Sequence, residues 1–166
     1  MKNRITKYAP AGIDLKMERK VFLVGILCAL GYSMFFLLRF KNAYDELFEW
    51  SGTRKFLIPG AVMPDFVELL DSAMWGFLIL HWCMLLLILY HYAYHRQGSK
   101  SIYLMKRIPD RWELHRRCLT IPIILACVSL IAMGIIFFLY YKIYMTVTPV
   151  ECMQPNQWQK IWSVIL

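Results

Sequence analysis

The sequence has little charge and none of the common catalytic motifs. Of its 166 residues only 18% are charged, whereas 59% are apolar and 16% are aromatic. So many aromatic residues exclude a disordered chain, and the length is short for a multidomain enzyme. The sequence contains no phosphate-binding glycine loop, no H-E-x-x-H and no G-x-S-x-G. We therefore expect that this chain is not itself an enzyme.

The five cysteines lack the C-x-x-C spacing of metal and redox sites. Three of them fall within long apolar stretches, a fourth borders one, and only Cys152 lies outside. This distribution excludes a disulfide framework, although Cys152 could pair between subunits. We expect no metal and no cofactor.

The apolar residues are concentrated in three stretches that carry no Lys, Arg, Asp or Glu. They are Val21–Leu38 with 18 residues, and Ser72–Tyr94 and Leu119–Tyr141 with 23 each. As helices they would be about 27 to 34 Å long, against a hydrocarbon core of about 30 Å. A soluble helix of this length would have a polar face, and Leu119–Tyr141 has almost none. The sequence thus predicts an all-α membrane protein with three spans, at about 21–39, 72–95 and 119–142.

Basic residues alternate between the segments that flank these spans. Residues 1–20 contain six Lys and Arg against two acids, and residues 96–118 contain seven against two. Residues 39–71 contain four against six, and the tail from 142 contains two against one. Cytoplasmic segments of membrane proteins are enriched in Lys and Arg. We therefore expect a cell-membrane protein whose amino terminus and inner loop (96–118) lie in the cytoplasm. Its outer loop (40–71) and its tail (143–166) would lie outside. This topology, with attraction to lipid headgroups, explains the net charge of +8 without nucleic acid.

The external segments show three helical patterns. Tyr44, Leu47 and Phe48 share one helical face, which favours an extension of the first helix or a helix on the outer surface. Asp65 and Glu68 resemble a capping box and predict that the second long helix begins there and continues to about His95. The tail places Trp158, Ile161, Trp162 and Ile165 on one apolar face, which we expect at the outer interface or against a partner.

Three histidines lie on the second span. His91 and His95 are four residues apart, so they could bind a metal or, with His81, a haem. The other two spans contain no histidine, which favours an interfacial position for both within an aromatic belt. His81 lies near the middle of the span, where it is either a neutral histidine bonded between helices or an intramembrane functional group.

A short amphipathic segment lies in the inner loop between Gly98 and Pro109. Apolar side chains occupy one arc of its helical projection, and basic side chains with a tyrosine occupy the opposite arc. The apolar arc consists of Ile102, Leu104, Met105 and Ile108, and the opposite arc of Tyr103, Lys106 and Arg107. The pattern predicts a two-turn cytoplasmic helix that either rests on lipid headgroups or docks into a groove of a partner.

This layout resembles the first half of the permeases of the type-two ABC exporter class. The stretch Gly98–Arg117 is also similar to one in small membrane proteins that accompany ABC ATPases in low-GC Gram-positive bacteria. In the permease class the helix between the second and third spans is a coupling helix that contacts the ATPase. By position, the resemblance implies that the ATPase-facing residues are Ser101, Ile102, Tyr103, Leu104, Met105, Lys106 and Arg107.

The resemblance implies a membrane subunit of an ATP-driven transporter whose partner ATPase performs the hydrolysis. Such permeases usually have six spans and this chain has three, so a second membrane subunit or a second copy would complete the unit. Two alternatives stay open at this point. The chain could be a scaffold or regulatory subunit with no transport path, or a haem-carrying membrane anchor.

Overall fold

A computed structural model describes residues 14–51, 54–96 and 112–165, and 81% of these residues are helical. The helices are α1 (Leu15–Ser33), α2 (Phe35–Glu46), α3 (Phe66–Leu70), α4 (Trp75–Arg96), α5 (Glu113–Val147) and α6 (Gln157–Ile165). An antiparallel hairpin of β1 (Phe48–Ser51) and β2 (Arg54–Leu57) follows α2. Short 3-10 turns cover Asp71–Met74 and Val150–Cys152.

Three helical segments are long and apolar enough to cross a membrane. They are Leu15–Glu46, Phe66–Tyr94 and His115–Val147, and each overlaps one of the three predicted spans but is longer than it. Many of their large apolar side chains are exposed, among them Leu27, Trp82 and Ile131. Exposed apolar surface on this scale is typical of contact with lipid. The chain thus has the features of a multi-pass membrane protein, while the predicted inner-loop helix lies outside the described residues.

The second span differs from the single long helix that the sequence predicts. Helix α3 begins at Phe66, directly after Asp65, as expected. It ends after one turn because Asp71 adopts a positive φ of 27°, and α4 begins at Trp75. Arg39 holds the Asp71 carboxylate at 2.7 Å and thereby stabilises the break from the neighbouring helix α2.

The predicted extension of the first helix into the outer loop is confirmed for Tyr44 but not for Leu47 and Phe48. The helix that contains Tyr44 continues only to Glu46, and Phe48 lies in a strand instead. Phe48 pairs with Leu57 across the hairpin, and the Ile58 amide donates to the Leu47 carbonyl at 3.0 Å. The Ser51-Gly52 sequence between two short runs with aromatic residues is a turn signal that favours a hairpin over a helix.

The chain divides into two compact units. The first consists of Met1–Ala29 and Phe77–Ala132. Its core is formed by Phe22, Leu80 and Met84. A β-carbon at Gly25 would lie 2.9 Å from Leu80 Cδ1, so glycine permits the close approach of α1 and α4 there.

The second unit consists of Leu30–Gly76 and Met133–Leu166, and aromatic rings dominate its core. Phe66 is fully buried at its centre. Four rings surround Phe66 edge-on with centroid distances of 5.3 to 5.7 Å, those of Phe36, Phe137, Tyr141 and Tyr144. Edge-on packing of this kind is favourable because the positive edge of one ring meets the negative face of another.

The tail helix α6 packs on its own chain within this second unit. Gln157 and Ile161 are buried, whereas Trp158 and Trp162 are exposed. The Phe66 amide donates to Gln157 Oε1 at 3.1 Å, so Gln157 takes the capping role that the sequence assigns to Asp65. Asp65 instead accepts hydrogen bonds from Gln157 at 2.8 Å and from Lys160 at 2.7 and 2.8 Å.

Cys152, which the sequence leaves free to pair between subunits, is buried in the structure. Its burial disfavours a disulfide to another subunit.

We expect the attachment of α6 to weaken at low pH. Partial burial by itself would raise the pKa of Asp65, but the hydrogen bonds and the charge of Lys160 outweigh it and hold this pKa below the ordinary value of 3.8. A carboxyl whose pKa is lowered by folding stabilises the fold fully above its unfolded pKa, and this contribution is lost as the pH falls through the folded value. Protection of the α6 amides from hydrogen exchange, corrected for intrinsic rates, should therefore be constant from about pH 8 to 5 and decrease below about pH 4.

The variant Asp65→Asn tests this assignment. It should lower the protection of α6 at neutral pH by about fivefold, the equivalent of about 1 kcal/mol for a partly exposed ion pair, and should remove the pH dependence. Identical protection profiles for the variant and the original chain would contradict the ion pair.

Candidate functional site

A single histidine joins the three long helices of the first unit. His91 on α4 is fully buried. Its Nε2 lies 2.8 Å from Glu18 Oε1 on α1, and its Nδ1 lies 3.1 Å from the backbone carbonyl of Cys118 on α5. His91 is therefore not an exposed member of an aromatic belt, because both ring nitrogens are engaged inside the unit, while its position at the membrane interface stays a prediction.

The hydrogen-bond chemistry of this site defines where the protons lie. A carbonyl oxygen only accepts, so Nδ1 of His91 carries a proton and donates it to Cys118. The second contact joins Nε2 to a carboxylate oxygen, so one further proton is shared between His91 and Glu18. The Glu18 side chain is only 11% exposed, and the contact is thus a buried acid–histidine pair.

The second oxygen of Glu18 has no partner within the described part of the chain. Oε2 is buried and makes no hydrogen bond there. A buried acceptor without a donor is unfavourable, and in native proteins such an atom is explained by an ordered water, an ion, local strain or a catalytic role. Glu18 therefore needs an explanation beyond its pairing with His91.

A cavity of about 350 Å³ lies beside Glu18 in the first unit. Most of its wall is apolar, and its polar groups come from two carboxylates, two tyrosines and a thiol. The lining residues are Asp14, Met17, Glu18, Val21, Phe22, Cys83, Met84, Leu87, Tyr90, Tyr94 and Leu125. A concave apolar site with a few convergent polar groups is the usual form of a small-molecule site.

The local sequence explains why Glu18 reaches this position. Asp14 caps α1, and its carboxylate accepts the Lys16 amide at 2.9 Å. Glu18 then falls in the first turn, where a negative charge complements the helix dipole. One turn further along, Phe22 belongs to the core of the unit, so the same helical face carries Glu18 inward.

The second intramembrane histidine bridges two helices. His81 Nδ1 lies 2.7 Å from the Phe77 carbonyl one turn before it, and Nε2 lies 3.1 Å from Ser129 Oγ on α5. These contacts fit the interpretation of a histidine that is hydrogen-bonded between helices. A role for His81 in transport stays a prediction.

The other predicted site residues divide between the described and the remaining parts of the chain. All the proposed ATPase-facing residues, Ser101, Ile102, Tyr103, Leu104, Met105, Lys106 and Arg107, lie outside the described residues. The side chain of His95 is likewise not described. Near the loop, the Tyr92 hydroxyl hydrogen-bonds to Nδ1 of His115 at 2.7 Å and ties α4 to α5.

Sequence reasoning did not find Glu18 or Ser129. A signal for Glu18 is present, since it is an acid within a basic segment just before an uncharged stretch. Ser129 carries a weaker signal, as one of few hydroxyl groups on the third span.

In the described ranges no three His, Cys, Asp or Glu side chains are grouped so that they could hold a metal ion. His91 is also unsuited to bind haem, because both its ring nitrogens already have partners.

No protein-family model matches the chain, and no curated protein sequence and no solved structure matches it either. The similarity of Gly98–Arg117 to ABC-associated membrane proteins stays a prediction that rests on the sequence pattern.

Proposed function

We propose that this chain is a membrane subunit of an ATP-driven, ABC-type transporter of a bacterial cell membrane. Its inner loop docks a cytoplasmic ATPase, which performs the hydrolysis, and a second membrane subunit or a second copy completes the assembly. The amino terminus lies in the cytoplasm and the carboxyl terminus outside. The proposal rests on the inner-loop pattern and on the contacts that surround the ends of that loop.

The bonding of His91 is the observation that carries the proposal. Helix α4 ends at Arg96 and α5 begins at Glu113, so the inner loop connects the ends of two long helices. His91 lies five residues before the end of α4, and Cys118 lies five residues after the start of α5. Through Glu18 the same histidine also holds α1. A displacement of the loop would therefore act on all three helices, because the contacts that join them are buried and short.

The apolar arc of the inner loop provides the docking chemistry. A short amphipathic helix binds by placing its apolar face in a groove of the partner, with anchors at helical spacing. In the proposed complex Leu104 and Met105 lie in the ATPase groove, and Lys106 and Arg107 contact its rim. The described helices on either side of the loop end at Arg96 and begin at Glu113, and such anchoring would lower the ordering entropy that docking has to overcome.

The double variant Leu104→Asp with Met105→Asp should abolish co-purification of the ATPase. Two charges placed in an apolar groove would each be desolvated without a partner, and loss of one central anchor alone weakens an interface by about 2 kcal/mol or more. Quantitative mass spectrometry of the purified complex should therefore show at least about a thirtyfold loss of ATPase. The matched control is Val150→Asp, an exposed apolar position of the tail that is predicted to be external.

The outcomes separate the proposal from a scaffold. Retention of the ATPase by the double variant would contradict docking through this loop. If the ATPase is bound, its hydrolysis rate in proteoliposomes should depend on this chain. An unchanged rate with and without the chain would favour the scaffold or regulatory alternative, which shares the docking surface but has no transport path.

A further inference from the structure

We propose that two tryptophans of the tail helix α6, Trp158 and Trp162, insert into the membrane interface and anchor the second unit to the lipid. The partner is a phospholipid surface, at the depth of the headgroups and the upper acyl chains. This inference goes beyond the proposed function, because it requires neither the ATPase nor the inner loop.

Helix α6 has three distinct faces. Successive residues lie about 100° apart around a helix, so residues four positions apart share a face. The buried face consists of Gln157 and Ile161, the tryptophan face of Trp158 and Trp162, and the polar face of Gln159, Lys160 and Ser163. In this projection Lys160 lies opposite the two tryptophans. The division gives α6 one side for the protein, one for lipid and one for water, which is the pattern of a helix at a membrane surface.

Within the described residues, the chain buries the first of these faces and leaves the tryptophan face about half exposed. Ile161 is 4% exposed, whereas Trp158 and Trp162 are 45% and 49% exposed. The buried Ile161 and the ion pair of Lys160 with Asp65 at 2.7 Å together fix the rotation of α6. The tryptophans therefore cannot turn inward while these contacts hold, and what covers them lies outside the unit.

The contacts of Trp158 define its depth along the third span. Its ring packs edge-on against Tyr141 with a centroid distance of 5.7 Å. Tyr141 is the last residue of the uncharged stretch Leu119–Tyr141, and Lys142 follows it. Trp158 thus lies where the span is expected to leave the apolar region, and the ring of Trp162 is 6.1 Å away from it. Tryptophan is enriched at this depth because its ring has an apolar body and one N–H donor.

The size of the tryptophan face favours lipid over a second copy of the chain. Two rings of about 150–250 Å² each, both about half exposed, offer at most about 250 Å². A stable protein interface needs about 800 Å² from each partner. Lipid needs no such minimum, because the bilayer surrounds a membrane protein in any case and each inserted ring contributes in proportion to its apolar area.

Fluorine NMR of the chain labelled with fluorotryptophan tests the location in lipid nanodiscs. Three paramagnetic probes are compared: a phospholipid with a nitroxide at the top of its acyl chain, one with the nitroxide at the chain end, and a water-soluble gadolinium chelate. The signals of Trp158 and Trp162, assigned with the variants Trp158→Phe and Trp162→Phe, should be broadened most by the nitroxide at the top of the chain.

Trp82 provides the internal control for depth. It is 68% exposed and lies near the middle of the uncharged stretch Ser72–Tyr94, so the nitroxide at the chain end should broaden its signal most. If the gadolinium chelate has the strongest effect on Trp158 and Trp162, this face lies in water and the proposal is overturned. Weak broadening by all three probes would show that protein covers the rings, and strongest broadening by the chain-end nitroxide would place them too deep. Either result also overturns the proposal.

A matched pair of variants tests whether the lipid contact holds α6 in place. In phospholipid vesicles, Trp162→Gln should lower the protection of the α6 amides from hydrogen exchange by at least about tenfold, because the apolar area of the ring no longer contacts lipid. Ser163→Gln places the same side chain at the next position, on the exposed polar face, and should leave the protection unchanged. Glutamine has a higher helix propensity than tryptophan, so a weaker intrinsic helix cannot cause the loss.

The same measurement separates lipid from a second copy. Protection of α6 by lipid should not depend on the ratio of protein to lipid, whereas protection by a second copy should increase with that ratio. An increase would therefore overturn the proposal and identify the second copy as the occupant. Equal protection of α6 in Trp162→Gln and Ser163→Gln would overturn it as well.

Discussion

The variant His91→Ala should lower the free energy of unfolding by about 3–5 kcal/mol, the usual consequence of removing one partner of a buried ionic pair. The histidine is fully buried and the Glu18 side chain is 11% exposed, so little water can replace the lost contact. The substitution leaves both oxygens of Glu18 without a donor and also leaves the Cys118 carbonyl without the bond from His91. Unfolding in mixed micelles of detergent and dodecyl sulfate, followed by circular dichroism, measures the difference.

The double variant Glu18→Leu with His91→Leu provides the control for this effect. Replacing both partners of a buried pair by apolar side chains of similar size is commonly neutral or stabilising, so most of the lost stability should return. His115→Ala removes an exposed histidine that also bonds to a tyrosine, and it should cost at most about 1 kcal/mol. A single variant His91→Ala as stable as the original chain would show that the pair does not form.

The pair also connects the stability of the first unit to the proposed coupling. His91 contacts α1 and α5 within a few residues of the ends of the inner loop. An ATPase that moves the loop would either break this contact or move α1 together with the loop. In both cases the packing of the three helices against one another changes. The double variant with two leucines can therefore be stable and still uncoupled, which separates a structural role of the pair from a role in transmission.

The spans could be predicted from the sequence because each is a local property. A stretch such as Leu119–Tyr141 needs no knowledge of its neighbours, since its length and lack of charge alone identify it as a membrane helix. The start of α3 after Asp65 was also predicted correctly from a local capping pattern, although Asp65 itself makes no side-chain capping bond.

The site could not be predicted because its residues are distant in the sequence. Glu18 and His91 are 73 residues apart, and no local pattern shows that they face each other. The cap at Phe66 comes from Gln157, 91 residues away, and this partner changed the role of Asp65. The break at Asp71 likewise depends on Arg39 from another helix. Helical periodicity indicates which face a residue occupies, but only packing decides what lies opposite.

The variant Phe66→Ala should have the second large effect and lower the free energy of unfolding by about 3 kcal/mol. Phe66 is fully buried and meets four aromatic rings, two of which are Phe36 and Tyr144. Truncation would leave a cavity among rigid rings that cannot easily close it. We choose the lower end of the range for such truncations, because lipid also solvates an apolar side chain in the unfolded membrane state and only the packing contribution is lost.

Phe138→Ala is the matched control, since Phe138 is an aromatic residue of α5 in the same unit but is 60% exposed. Its truncation removes mostly exposed surface and a single ring contact, that with Phe137 at 5.8 Å, so its effect should stay within about 0.5 kcal/mol. Unfolding in mixed micelles followed by tryptophan fluorescence compares the two variants. Because Phe66 also carries the amide that Gln157 caps, hydrogen exchange should show that Phe66→Ala loosens α6 as well. Equal effects of both truncations would mean that the aromatic core of the second unit contributes no more than contact with lipid.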